Sequence, residues 1–161
     1  MTLFDFKQDC NLSAWQVVND SVMGGLSQAN ITLNDDGNAV YTGHVSLDNN
    51  GGFSSLRCRF EAIDVSKYSK FRLKVKGDGK RYQFRVKSGE YDRHSYIHYF
   101  QTTGEMQSIE IDFADMYPTF RGRKLDRKNF SGEQIVEVAF LIRNKKEEDF
   151  VLEIDEIEVL K

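Results

Sequence analysis

The chain has 161 residues, with 22 Lys and Arg against 25 Asp and Glu, for a formal net charge of -3. This length allows one domain, residues 1–161, to bury its own core without disulfides or metals. The small negative charge excludes long-range attraction of the whole molecule to nucleic acid or an anionic membrane. No apolar run approaches the about 20 residues of a spanning helix, and the opening MTLFDFKQDC lacks the basic and apolar regions of a secretion signal. No transmembrane segment and a cytoplasmic location are therefore expected.

Twelve Phe and seven Tyr favour strands, where flat side chains pack between sheets. Strands are predicted over 29–33, 39–45 and 52–60. Phe71, Leu73 and Val75 then alternate with Arg72, Lys74 and Lys76, and after Gly77-Asp78-Gly79 the residues Tyr82, Phe84 and Val86 alternate with Gln83, Arg85 and Lys87. Period two sends alternate side chains to opposite sheet faces, so both segments read as strands with an apolar inner and a basic outer face. Further strands are predicted over 95–100, 107–113, 136–143 and 150–159. In the last, the apolar phase slips by one at Asp155-Glu156, where a β-bulge or a turn would absorb the extra residue. About nine short strands divided by turns point to an all-β sandwich or barrel. Residues 113–129 show no sustained periodicity and read as a long ordered loop, whose aromatic and basic members Tyr117, Phe120, Arg121 and Arg123 are candidate recognition residues.

Charge is unevenly placed. Residues 64–87 hold nine Lys/Arg against Asp64 and Asp78, 121–128 hold five against Asp126, and 147–158 hold seven acids and no base. Either the blocks neutralise each other on one surface, or one of them forms a charged docking face.

Catalytic signatures are missing. His94 and His98 are four apart, a metal-ligand spacing on a helix, but on a strand that spacing is about 13 Å, too far to share an ion. Ser27, Ser46 and Ser55 lack a nucleophile motif, and the alternating acids near the C-terminus read as solvent-facing. Cys10 and Cys58 have no paired-cysteine spacing and are expected to stay unpaired. No enzyme activity, metal or cofactor is expected.

Two segments pair glycines with polar residues: 15–27, WQVVNDSVMGGLS, and 43–53, GHVSLDNNGGF. Glycine permits positive φ and close backbone approach, and Asp, Ser and Asn can satisfy the N–H groups that turns expose, or touch a ligand. The group comprises Trp15, Asp20, Met23, Gly24, Gly25, Ser27, Asn49, Asn50, Gly51, Gly52, Phe53 and Arg57. At these residues the chain resembles the complex I intermediate-associated protein 30 kDa family. The likeness continues through Gly77-Asp78-Gly79-x-x-Tyr82, Phe120-Arg121-Gly122-Arg123 and Phe150-x-Leu152-x-Ile154-x-x-Ile157. It implies a galactose-binding-like, jelly-roll β-sandwich and a non-catalytic role as an assembly factor, or chaperone, binding a protein client such as respiratory-complex subunits. The fold also suggests a second role, carbohydrate binding through exposed loops. Nucleic acid is not an expected partner.

Overall fold

The computed structural model describes residues 1–8, 12–20 and 24–161, so Cys10 and Met23 lie outside the described residues. Thirteen strands occur among these: β1 (Thr2–Asp5), β2 (Trp15–Asn19), β3 (Gln28–Leu33), β4 (Ala39–Val45), β5 (Ser54–Asp64), β6 (Lys70–Lys76), β7 (Arg81–Lys87), β8 (Ser95–Gln101), β9 (Met106–Asp112), β10 (Tyr117–Phe120), β11 (Arg123–Lys124), β12 (Gln134–Ile142) and β13 (Glu148–Leu160). Sheet A runs β3-β4-β13-β6-β9, with β1 also on β13, and sheet B runs β11-β10-β8-β7-β12-β5-β2. Neighbouring strands are antiparallel throughout. The two sheets form the jelly-roll sandwich, burying the alternate apolar residues of each strand between them.

Phe71, Leu73 and Val75 of β6 face Tyr82, Phe84 and Val86 of β7 from opposite sheets, all six fully buried. The turn at Gly77-Asp78-Gly79 is therefore a crossing between sheets and not a hairpin. The rings of Phe71 and Phe84 meet edge-on across the core, 5.0 Å between centroids, a geometry that aromatic pairs prefer. Trp15 is inside too, packed on Phe4 at 5.0 Å and Phe6 at 5.5 Å. The phase slip in β13 is a bulge: its register against β6 shifts between Ile154 and Glu156, which lets both Ile154 and Ile157 reach the core. Cys58 is a buried free thiol, pushed up to about 11 by burial and by the nearby Glu137 carboxylate.

Residues 113–129 depart from the loop expectation. They contain a 3-10 turn at Phe113–Asp115 and the β10–β11 hairpin, which extends sheet B through pairing of β10 with β8. Four- and two-residue strands are too short to display period two, and a proline within a segment argues against a strand. The apparently irregular aromatics close one end of the core, with Phe113 and Phe130 both packed on Phe71. The amide of Phe130 donates to the carbonyl of Met116 at 2.9 Å, fixing the return of the chain. The strands β1 and β2 were likewise not expected from the sequence.

One corner of the sandwich is tied by Asp20, which is 1% exposed. Its Oδ1 accepts from the Ser27 amide at 3.0 Å; its Oδ2 accepts from the Ser27 hydroxyl at 2.6 Å, the Gly52 amide at 2.6 Å and the Phe53 amide at 3.2 Å. The Ser27 hydroxyl in turn accepts from the Ser46 amide at 2.9 Å. One carboxylate thus joins the segment after β2 to the turn before β5. Both turns must come close to it: a Cβ on Gly25 would collide with the Asp20 carboxyl, and one on Gly51 would lie 2.5 Å from Asp20 Oδ2. Asn49 takes a left-handed conformation, φ 54°, and Gly52 has φ 137°.

Burial alone would raise the pKa of Asp20, but the bonds from Ser27, Gly52 and Phe53 together outweigh it and hold the carboxyl below its ordinary value. A depressed carboxyl stabilises the fold above the unfolded-state pKa, about 3.9, and loses that contribution as pH falls through the folded value. Asp20→Asn should cost about 2–4 kcal/mol at neutral pH, because an amide cannot accept all four donors. In denaturant titrations the gap between wild type and Asp20→Asn should be constant above about pH 5 and narrow below about pH 4; a gap that widens in acid would contradict the charged clamp. Replacing Gly51 and Gly52 by valine should cost about 1–4 kcal/mol through collision with Asp20 and strained φ, read as a lower unfolding midpoint.

Candidate binding face

The outer faces of the two sheets treat their cations differently. On sheet A, β6 lies beside β13, and the solvent-facing residues of the two strands pair. Arg72 holds Glu158 in a fork, with contacts of 2.9 and 3.0 Å from Nη2, while Lys74 reaches Glu156 at 3.2 Å. On the other side of β6, Lys70 pairs with Glu110 of β9 at 3.2 Å. The basic block 64–87 is thus largely neutralised where it belongs to sheet A.

Sheet B lacks this compensation. Arg81 and Arg85 of β7, Arg57 of β5, and Arg143, just beyond β12, have no carboxylate within ion-pair distance among the described residues. Strand register sets their arrangement. Arg57 and Arg85 are both directly opposite Ala139, on either side of β12, and Arg85 is in turn opposite Ile97, which is opposite Tyr117. One row across five strands therefore reads Arg57, Ala139, Arg85, Ile97, Tyr117. With strands about 4.7–4.9 Å apart, the two arginine Cα atoms are about 10 Å from each other. Ala139 and Ile97 point away from the core yet are only 2% and 4% exposed, since the longer side chains around them cover the floor.

The adjacent rows complete the face. Ser55, Leu141, Gln83 and Tyr99 form one, in which Gln83 Nε2 donates to the Tyr99 hydroxyl at 3.1 Å. Arg59, Glu137 and Lys87 form the next, with Glu137 the face's acid, 3.6 Å from Arg59. The guanidinium of Arg85 donates to Gln83 Oε1 at 3.0 Å and that of Arg57 to the Ser55 hydroxyl at 3.2 Å, so neutral groups orient the arginines. Burial first, then the charges of Arg57 and Arg143, lower Arg85 to about 10 against the opposing pull of Glu137 and Tyr99. Burial and the charges of Arg57, Arg59 and Arg85 lower Lys87, although Glu137 acts in the other direction. Both aromatic rings of this face already carry a cation: Arg81 lies 4.1 Å above Tyr99 and Lys124 lies 5.2 Å from the centroid of Tyr117.

The residues singled out in the sequence divide among the clamped corner, the core, and the sheet B face with its bordering hairpin. Asp20, Gly25, Ser27, Gly51, Gly52 and Phe53 meet at the clamped corner; Gly24 and Asn49 are on the exposed side of its turns, and the backbone of Asn50 closes a 3-10 turn there. Trp15 is core, and Arg57 belongs to the face of sheet B, away from the corner. Tyr117 is on that face, while Phe120, Arg121 and Arg123 form the β10–β11 hairpin beside it, with the Arg121 guanidinium 5.3 Å from the Phe120 ring. A Cβ on Gly122 would collide with Arg143, so this hairpin turn borders the arginine cluster. Arg81, Arg85, Tyr99 and Arg143 were not singled out. The alternation of β7 marked its basic side, but nothing local told which sheet that side would belong to. His94 bonds the Tyr96 hydroxyl and accepts from Arg127, each at 3.3 Å, and His98 Nδ1 donates to the carbonyl of Tyr99 at 2.7 Å, so each ring has a protein partner. No cluster of three metal-ligating side chains occurs among the described residues, and no helix among them is long and apolar enough to cross a membrane.

Comparison with known proteins gives two kinds of likeness. In the first, a mitochondrial protein of Drosophila melanogaster named complex I intermediate-associated protein 30 is 27% identical over 178 residues. The alignment takes in 95% of this chain, which spans 60% of the length of that relative. In the second, a family 11 carbohydrate-binding module from Clostridium thermocellum, solved with a β-1,3-1,4-mixed-linked tetrasaccharide, superposes with a TM-score of 0.70 at 19% identity, covering 99% of this chain and 94% of that one. The glycoside hydrolase domain of Endo-D from Streptococcus pneumoniae R6 gives 0.59 at 13% identity, covering 91% of this chain and 21% of that one. These two structural likenesses show the fold. The family model described as Complex I intermediate-associated protein 30 matches residues 4–154, and the chain belongs to that family.

Proposed function

We propose that this chain is a single, non-catalytic domain that binds a protein client in the cytoplasm through the outer face of sheet B, and that the client is a subunit or assembly intermediate of a respiratory complex. The observation that carries the reading is the contrast between the sheets: among the described residues, the cations of sheet A are largely paired within the chain, whereas four arginines of sheet B are not. Arg57 and Arg85 among them are half-buried; charges left unpaired and partly desolvated cost stability, and such groups are kept where a partner completes them. Family membership supplies the class of client, since the relative is named for association with complex I intermediates.

The second reading, a glycan ligand, draws on the carbohydrate-binding modules that share the fold. Sugar recognition on a sheet uses free aromatic faces, and here Tyr99 and Tyr117 carry Arg81 and Lys124. That occupancy favours a protein client.

Immobilised protein incubated with native cell extract should enrich respiratory-complex subunits, identified by quantitative mass spectrometry. The charge-reversed double variant Arg81→Glu/Arg143→Glu should retain them about tenfold less well. A glycan array run in parallel should stay blank. Retention of a defined sugar with no respiratory subunits enriched would replace the client reading with the glycan one.

A further inference from the structure

Resting on the client reading, we propose that the client presents an extended, carboxylate-rich polypeptide segment, and that its acidic side chains are taken by Arg57 and Arg85 across the floor formed by Ala139. Three features specify this chemistry. The first is the pairing geometry. Arg57 and Arg85 flank the smallest side chain of the row, Ala139, which leaves room for an incoming group between the two guanidinium groups. Their present partners, Ser55 Oγ and Gln83 Oε1, are neutral acceptors that occupy part of each donor fork. A guanidinium has five N–H donors and binds a carboxylate through two of them at once, so donors remain for an acid.

The second feature is the field. Arg85 feels the charges of both Arg57 and Arg143, and the carboxylate that opposes them, Glu137, is already 3.6 Å from Arg59. A carboxylate placed between Arg57 and Arg85 would relieve their mutual repulsion and replace the solvation that Arg85 has lost. The third feature decides among polyanions. Single-stranded nucleic acids and sugars rely on stacking against aromatic faces, and the two rings on the strands of this face are covered by cations. Tyr91, which is 90% exposed, lies in the turn between β7 and β8, outside the strands that form the face. A peptide carboxylate needs only the guanidinium forks. In an extended segment side chains alternate, so every second acid could face the sheet.

The probe is a fluorescent peptide of about twelve residues alternating Glu and Ser, long enough to cross the sheet. Fluorescence anisotropy should show saturable binding that weakens at least about tenfold between about 50 and 300 mM salt. Arg57→Gln/Arg85→Gln should weaken it by about tenfold or more, whereas Arg72→Gln/Lys74→Gln on sheet A should change it by less than about twofold. In the unaltered protein, titration should shift the amide resonances of Arg57, Arg85, Ile97 and Ala139 first, a readout that does not depend on a variant folding. Absence of binding, binding unaffected by the sheet B substitutions, shifts confined to sheet A, or tighter binding of a polygalacturonate or single-stranded oligonucleotide would each overturn the inference. If respiratory subunits are captured in full by Arg57→Gln/Arg85→Gln at high salt, the acidic-segment inference fails while the client reading stands. If the peptide binds as described but no such subunit is captured, the client reading alone fails.

Discussion

The alternation of β13 fixes where charge can go. Leu152, Ile154, Ile157 and Val159 must face the core, which the bulge at Asp155-Glu156 allows on both sides of the phase slip, and Glu156 and Glu158 are thereby committed to the solvent face of sheet A. Because β6 lies directly beside β13, its Arg72 and Lys74 find those acids opposite them. The chain then crosses to the other sheet at Gly77-Asp78-Gly79, and the same basic alternation continues in β7 with no acidic strand alongside. Its neighbours, β8 and β12, present Ile97, Tyr99, Ala139 and Leu141 outward and contribute Glu137 as their acid. A molecule with a net charge of -3 thus has one face dominated by unpaired arginines. Surface ion pairs of the sheet A kind add little stability; their consequence here is to confine positive potential to the opposite side.

The glycine-rich corner performs different work from the face. Asp20 gathers donors from Ser27, Gly52 and Phe53, which gives those buried turn amides an acceptor. Tyr41 of sheet A donates to the Ser54 hydroxyl of sheet B at 2.6 Å, and Ser54 donates to Asn19 at 2.6 Å, extending the tie from the corner into the sandwich. Those contacts hold the start of β5, the strand that carries Arg57. The glycine-rich corner of the family motif is therefore linked through β5 to the proposed binding face, to which the motif contributes Arg57.

Long strands with strict alternation were legible in the sequence, as β6, β7 and the phase slip of β13 show, because burial on one face leaves a period-two record; that the slip is a bulge and not a turn was not. The short β10 and β11 were not, since four residues including Pro118 cannot display a period. Asp20 and its glycines stood out because acid beside glycine is unusual amid apolar residues. Arg85 did not, because the sequence around it shows the same kind of basic alternation as the sequence around Lys74. Only the assignment of β6 and β7 to opposite sheets separates a paired cation from an unpaired one. Sheet membership is a long-range property, set by which strands lie alongside, and no window of sequence around either residue contains it.

If the arginines of sheet B are held at a cost to the fold for the sake of a partner, the unfolding free energy of Arg85→Met tests this most directly. That substitution keeps an unbranched apolar stem while removing the charge, and Arg72→Met on sheet A is its reference. Arg85→Met should be neutral or more stable than the unaltered protein, by up to about 2 kcal/mol, because repulsion with Arg57 and Arg143 is lifted. Arg72→Met should be neutral or less stable, since it removes the forked partner of Glu158 and leaves that acid only Lys74, 4.0 Å away. A loss of more than about 1 kcal/mol on Arg85→Met, accompanied by none on Arg72→Met, would show that the arginines of sheet B serve the fold and not a partner.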